Sequence, residues 1–192
     1  MRTFAKFFVF TAIIAALAPL ALADSSIIYN NIPNPLPPNV PSEPYEAVQS
    51  GEFGGLIQFA GGGSSYNLIN ATVAMSDWAL GSDYAPNGTT ITASGFYVPL
   101  TLNLYNVGSG NSVGSLIVAE TIDAFIPWRP EASPGCGTAW LASNGNCYNG
   151  SLSTVTFDLT GVTVPDEIIY GLAFNTTDYG TSPTGVLGPT TA

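Results

Sequence analysis

Apolar and polar residues alternate one by one over several short stretches of this chain, and turn residues interrupt each stretch before a helical period can build up. Leu100, Leu102 and Leu104 alternate with Thr101, Asn103 and Tyr105, and Val155, Phe157 and Leu159 alternate with Thr154, Thr156 and Asp158. Ile69, Ala71, Val73 and Met75 fall on one face of a strand, with Asn70, Thr72 and Ser76 opposite. Ile168, Tyr170, Leu172 and Phe174 make a last set, Leu56 to Ala60 reads as a short strand, and Leu116 to Ile126 reads as one or two more, ending at Pro127. Successive strand side chains point to opposite faces, so this pattern predicts half-buried strands. Gly61-Gly62-Gly63, Pro86-Asn87-Gly88, Gly108-Ser109-Gly110-Asn111 and Pro165-Asp166 supply turns between them. The expected fold class is all-β: a single antiparallel β-sandwich, jelly-roll-like, over residues 51–180, with a closed barrel as the alternative.

The first residues set a compartment. Arg2 and Lys6 precede an apolar run from Phe7 to Leu22, which ends in Ala21-Leu22-Ala23 before Asp24. A charged start, a short apolar middle and a small-residue exit predict a secretory signal peptide over residues 1–23. The run is shorter than the ~20 residues that span a bilayer, and no later segment is long and apolar enough to do so. Cleavage would leave Arg129 as the single basic side chain against thirteen acidic ones, a net charge of about −12. Such a surface repels phosphate, so nucleic acid is excluded as a partner and anionic membranes are disfavoured. Cys136 and Cys147 are the two cysteines, and no histidine exists to complete a metal site with them. In an exported protein the pair reads as one disulfide, worth roughly 2–3 kcal/mol by loop closure.

Residues 24–50 hold Pro33, Pro35, Pro37, Pro38, Pro41 and Pro44. Proline has no N–H and a fixed φ, so an extended arm is expected here, with Ile27, Ile28 and Tyr29 as a first edge strand. Residues 181–192 read as a flexible C-terminal tail.

The stretch from Tyr29 to Ser42, with Tyr45-Glu46-Ala47 after it, resembles the opening of a family of uncharacterised secreted β-rich proteins of bacteria and fungi. Leu100 to Val107, Gly114-Ser115-Leu116, Ile126-Pro127-Trp128-Arg129-Pro130, Thr156 to Asp166 and Ile169 to Thr176 are similar to the same family. The resemblance implies an extracellular β-rich domain and no established activity, so it supplies no catalytic residues. Members continue past the stretch matching Asp178-Tyr179-Gly180, which makes a shortened member lacking one or two strands the expectation here.

The absence of histidine removes Ser-His-Asp and Cys-His catalysis and His-based zinc or copper sites. Carboxylates are the catalytic groups left: Glu43, Glu46, Glu52, Glu120, Glu131 and Glu167, with Asp77, Asp123 and Asp158. Glycoside hydrolysis needs two of them across a cleft, and no pair stands out; Glu120 and Asp123, three apart, fall on opposite faces of a strand. No catalytic residue, metal ligand or cofactor is assigned; calcium, which needs only oxygen ligands, lacks its usual loop pattern.

Sugar binding without cleavage asks for aromatic faces beside amides. The candidates are Trp128, Arg129, Trp140 and Tyr148, in the Gly- and Asn-rich excursion around the disulfide, and Tyr84 in another loop. Trp78 and, less strongly, Trp128 are expected in the core, as tryptophans of sandwiches usually are. Arg129 is expected to pair with Asp123 or Glu131, or to stack on Trp128. Asn70, Asn87, Asn149 and Asn175 begin N-x-[ST] sequons, a number close to chance for this composition. These features lead to a secreted, non-catalytic module that binds extracellular glycan or cell-wall material. A structural or adhesive protein and a carboxylate-dependent glycan-cleaving enzyme are the alternatives.

Overall fold

The computed structural model describes residues 25–42, 50–84 and 90–174. The leader at 1–23, the tail at 181–192, the turn at Pro86-Asn87-Gly88, Glu43, Glu46 and the sequons at Asn87 and Asn175 lie outside the described residues.

The protein is all-β. Its strands are β1 (Glu52–Gln58), β2 (Ser65–Asn67), β3 (Asn70–Asp77), β4 (Gly95–Val107), β5 (Val113–Pro127), β6 (Trp140–Leu141), β7 (Cys147–Tyr148), β8 (Ser151–Asp158), β9 (Thr163–Pro165) and β10 (Glu167–Phe174). A four-stranded sheet runs β1-β10-β4-β5, and β2-β9, β3-β8 and β6-β7 form two-stranded pairs. The pairings are antiparallel.

One hydrophobic core joins the four-stranded sheet to the β3–β8 pair. From β4 it takes Phe96, Val98, Leu100, Leu102 and Leu104; from β5, Ala124 and Ile126; from β10, Ile168 and Leu172; and from β8, Val155 and Phe157. Ala71, Val73 and Met75 of β3 pack against it. The alternation seen in the sequence thus selects the inward face, and each large side chain so buried stabilises the fold by roughly 1.5–3 kcal/mol. On the outer faces, hydroxyl pairs bridge neighbouring strands: Thr72 to Thr156 at 2.9 Å and Thr101 to Thr121 at 2.7 Å.

Two expectations need correction, and a third resolves into one of its two alternatives. The first strand runs Glu52–Gln58, not Leu56 to Ala60. Gly54 lies within this strand, opposite Gly171 in the ladder, where two backbones approach closely. Leu116 to Ile126 belongs to one strand, which begins at Val113. Ile27-Ile28-Tyr29 is not a strand. Ile28 makes a single backbone contact, its carbonyl accepting from Ala60 N at 2.9 Å. Two residues later the Asn30 side chain accepts from Ile32 N at 3.0 Å, and this Asx turn bends the chain away.

The proline-bearing segment rejoins the sheet further on. Leu152 N donates to Pro38 O at 2.9 Å, and Ser76 Oγ donates to Asn39 Oδ1 at 2.7 Å. Both bonds lie at the end of the β3–β8 pair where the candidate site is built.

Candidate functional site

β3 turns Ala71, Val73 and Met75 inward, and the same parity carries Asp77 inward and Trp78 outward. Asp77 is accordingly 3% exposed, while the Trp78 side chain is 58% exposed. The expectation that Trp78 fills the core is therefore wrong. The general preference of tryptophan for interiors yields here to the strand alternation, which puts residue 78 on the outer face.

Beneath Trp78 lies a buried polar hub. Asp77 Oδ1 accepts from Ala79 N at 3.1 Å and Oδ2 accepts from Arg129 N at 3.2 Å. Arg129 is only 7% exposed. Its Nε donates to Trp78 O at 2.9 Å, Nη1 to Pro130 O at 3.2 Å and Nη2 to Thr138 O at 3.1 Å. The expected partners Asp123 and Glu131 are not its ligands; both are exposed, whereas the guanidinium turns inward onto three carbonyls. It thereby ties the end of β3 to the Cys136–Cys147 excursion. Burial pushes the Asp77 carboxyl up to about 6, against the opposing pull of the amides of Ala79 and Arg129 and the Arg129 charge.

Cys136 and Cys147 form a disulfide, with their Cα atoms 5.7 Å apart. It closes the loop that carries β6 and β7, in which Trp140 pairs with Tyr148 across the hairpin. Their rings lie 6.0 Å apart. The Trp140 indole donates to Gly150 O at 2.8 Å, and the Tyr148 hydroxyl accepts from Asn144 Nδ2 at 2.9 Å.

Gly150 links this hairpin to Trp78. A Cβ at residue 150 would come within 2.5 Å of Ser76 Oγ, 2.6 Å of Trp78 Nε1 and 2.8 Å of Asn39 Nδ2. Only glycine lets these three side chains close around the backbone here. Trp78 and Trp140 thus meet at one glycine, with the amide of Asn39 and the hydroxyl of Ser76 beside them.

Tyr84 and Trp128 form a second aromatic pair, stacked at 5.5 Å with their planes 3° apart. Trp128 is half-buried: it packs on Phe96 at 4.9 Å and donates from its indole to Thr92 O at 3.0 Å. Its inner face belongs to the core, as expected, and its outer face carries Tyr84.

Trp78, Tyr84, Tyr148, Asn39, Ser76 and Asp83 line one part of a groove of about 1900 Å3, and aliphatic side chains of β3, β4 and β10 line much of the remainder. Of the residues singled out from the sequence, Tyr84 and Tyr148 reach the groove, Trp128 and Trp140 support them from behind, and Arg129 is buried beneath. Asn149, in a sequon, is exposed next to Tyr148, and Asn70 is exposed on β3.

Among the described residues, Asp77, Glu52, Glu120 and Asp123 lie on different strands or opposite faces. Glu120 lies on the inward-facing side of β5 opposite Leu102, and Asp123 lies on the outer side opposite Pro99. Glu52 accepts from Asn103 Nδ2 at 3.0 Å and from the Tyr105 hydroxyl at 2.9 Å. Asp77 lines the groove, but both its oxygens hold backbone amides. Among the described residues no group of three or more His, Cys, Asp or Glu could hold a metal ion, and no helix is long and apolar enough to cross a membrane. What the arrangement offers chemically is stacking faces with neutral hydrogen-bonding groups around them. No protein-family model, no curated protein and no solved structure matches this chain.

Proposed function

We propose that this is a secreted, non-catalytic module that binds extracellular glycan or cell-wall material at the groove end formed by Trp78, Tyr148 and Tyr84. The observation that carries this reading is the exposure of Trp78 over a buried hub that fixes its backbone. A large aromatic ring carried into solvent on a backbone tied down in this way provides a stacking face. Asn39 and Ser76 lie within reach to address sugar hydroxyls. Export is part of the proposal and rests on the leader-like start and the disulfide.

The test is a glycan array on the purified protein, with a parallel reducing-sugar assay. Binding lost in Trp78→Ala and kept in Glu52→Gln, Glu120→Gln and Glu167→Gln supports the module. Product formation abolished by one of those Glu→Gln changes would replace it with a carboxylate-dependent enzyme. The amino terminus of protein recovered from the culture medium should be Asp24; recovery with Met1 in place counts against export.

One observation favours a second reading, adhesion through sheet edges. Phe59 N donates to Asp166 O and Phe174 N to Gly51 O, so the odd-numbered residues of β1 bond to β10. The even-numbered residues, Gly54, Leu56 and Gln58 among them, turn their amides and carbonyls outward. Among the described residues no strand pairs with that edge. Sedimentation at rising concentration, compared between the wild type and Leu56→Lys, tests it; a concentration-independent monomer in both disposes of the idea.

A further inference from the structure

Resting on the glycan-binding reading of the Trp78 groove, we infer that the ligand is an uncharged glycan of pyranose units, and that chains bearing carboxylate or sulfate are selected against. Recognition of an anionic sugar requires accessible cationic donors, bidentate guanidinium above all. The chain has three basic residues, of which Arg2 and Lys6 precede the described part. The third, Arg129, bonds the Trp78 backbone carbonyl, yet it is 7% exposed and its Nε, Nη1 and Nη2 are each bound to a backbone carbonyl. It serves the backbone of Trp78 and, among the described residues, leaves the groove without a cation.

What faces the groove instead is neutral or acidic. Asn39 and Ser76 are bonded to each other at 2.7 Å and present an amide and a hydroxyl beside Trp78. Asp83 is exposed and also lines the groove. The chain as a whole carries a formal net charge of −10. A polyanion approaching this end meets repulsion from Asp83 and from the summed field, with no compensating contact. A neutral pyranose meets none. Pyranoses with equatorial hydroxyls present their axial C–H groups as an apolar face, which suits an indole fixed from behind.

The experiment compares two probes by titration calorimetry: a β-1,4-linked glucose hexamer and the hexamer of the same linkage with each C6 oxidised to carboxylate. The full protein is used in 20 mM and in 500 mM NaCl. The expected result is binding of the neutral hexamer in both buffers, unaffected by salt. The oxidised hexamer should bind at least tenfold more weakly at low salt, with the gap narrowing at high salt and in Asp83→Asn. Trp78→Ala should abolish binding of the neutral probe. Equal or tighter binding of the oxidised hexamer at low salt overturns the charge selection while leaving a glycan module standing. Failure of both hexamers together with an empty glycan array overturns the module and this inference with it.

Discussion

The guanidinium of Arg129 holds the carbonyl oxygen of Trp78 at 2.9 Å, so the one basic side chain among the described residues, itself buried, fixes the backbone under their most exposed indole. The same guanidinium reaches Pro130 O and Thr138 O. One side chain therefore joins the end of β3 to the disulfide-bearing excursion at Thr138. Its fork geometry lets three donors point in three directions, which a lysine ammonium on a flexible stem reproduces poorly.

Arg129→Lys tests that role. Hydrogen bonds from a charged donor contribute about 1.5–3 kcal/mol each, and leaving buried carbonyls unpartnered adds to the loss. The expected outcome is a destabilisation of about 2–4 kcal/mol in urea unfolding, with Trp78 fluorescence shifted in the folded baseline. A stability within about 0.5 kcal/mol of wild type, the range of an ordinary surface change, contradicts the hub.

Asp77 makes stability depend on pH in an unusual direction. Its folded value, about 6, lies above the ordinary 3.8, so the folded protein holds the proton more tightly than the unfolded chain does. The group's contribution is complete below the unfolded value and is lost as pH rises through the folded one, by roughly 3 kcal/mol. Asp77→Asn carries no such titration. The stability of wild type minus that of Asp77→Asn should therefore fall between pH 4 and pH 7, as measured by urea unfolding at each pH. A difference that stays constant or grows with pH refutes this account.

The Cys136–Cys147 bond closes a short loop, eleven residues apart in sequence. Reduction, or the Cys136→Ser/Cys147→Ser double substitution, should lower stability by roughly 2–3 kcal/mol through the unfolded chain. Because Tyr148 follows Cys147 directly and Trp140 lies within the loop, affinity for glycan should fall by more than stability alone explains. Calorimetry at a temperature where the reduced protein is still folded separates the two effects.

Gly150→Ala places a methyl group against Ser76, Trp78 and Asn39. The atoms it meets are the ends of side chains, which can move aside, so the stability loss should be modest, about 1–2 kcal/mol, as for overpacking at a site able to yield. The consequence for function is larger, since Trp78 and Asn39 must part. At least a tenfold loss of neutral-glycan affinity is expected in calorimetry, with a near-native circular dichroism spectrum. Unchanged affinity would mean that the cluster around Gly150 is not the binding face.

Much of the fold was legible in the residues. The runs at Leu100–Leu104 and Val155–Leu159 alternate strictly because each strand has one face against the core, and the structure uses those faces. The glycine-rich stretch after Val107 makes the β4–β5 hairpin, where Gly108 N donates to Ser112 O at 2.7 Å. The disulfide also followed from two cysteines and no histidine. The start of β1 was not legible because the role of Gly54 depends on Gly171, more than a hundred residues away and visible only across the ladder. Of the site, Tyr84, Trp128, Trp140 and Tyr148 were singled out by type and loop context. Trp78 was expected in the core although the parity of β3 already placed it outside.

Alternation along a strand is a local property, fixed by the two-residue repeat of the backbone, and so the sequence alone determined the all-β class and most inward faces. Which strands pair, and what a side chain meets beyond its own strand, are non-local. The tertiary structure alone decided that Arg129 binds three carbonyls instead of an acid, that Asp77 lies buried beside it, and that Gly150 draws Trp78, Trp140 and Asn39 together. Those contacts join segments tens of residues apart, and their energies depend on burial and direction, which no spacing of letters encodes.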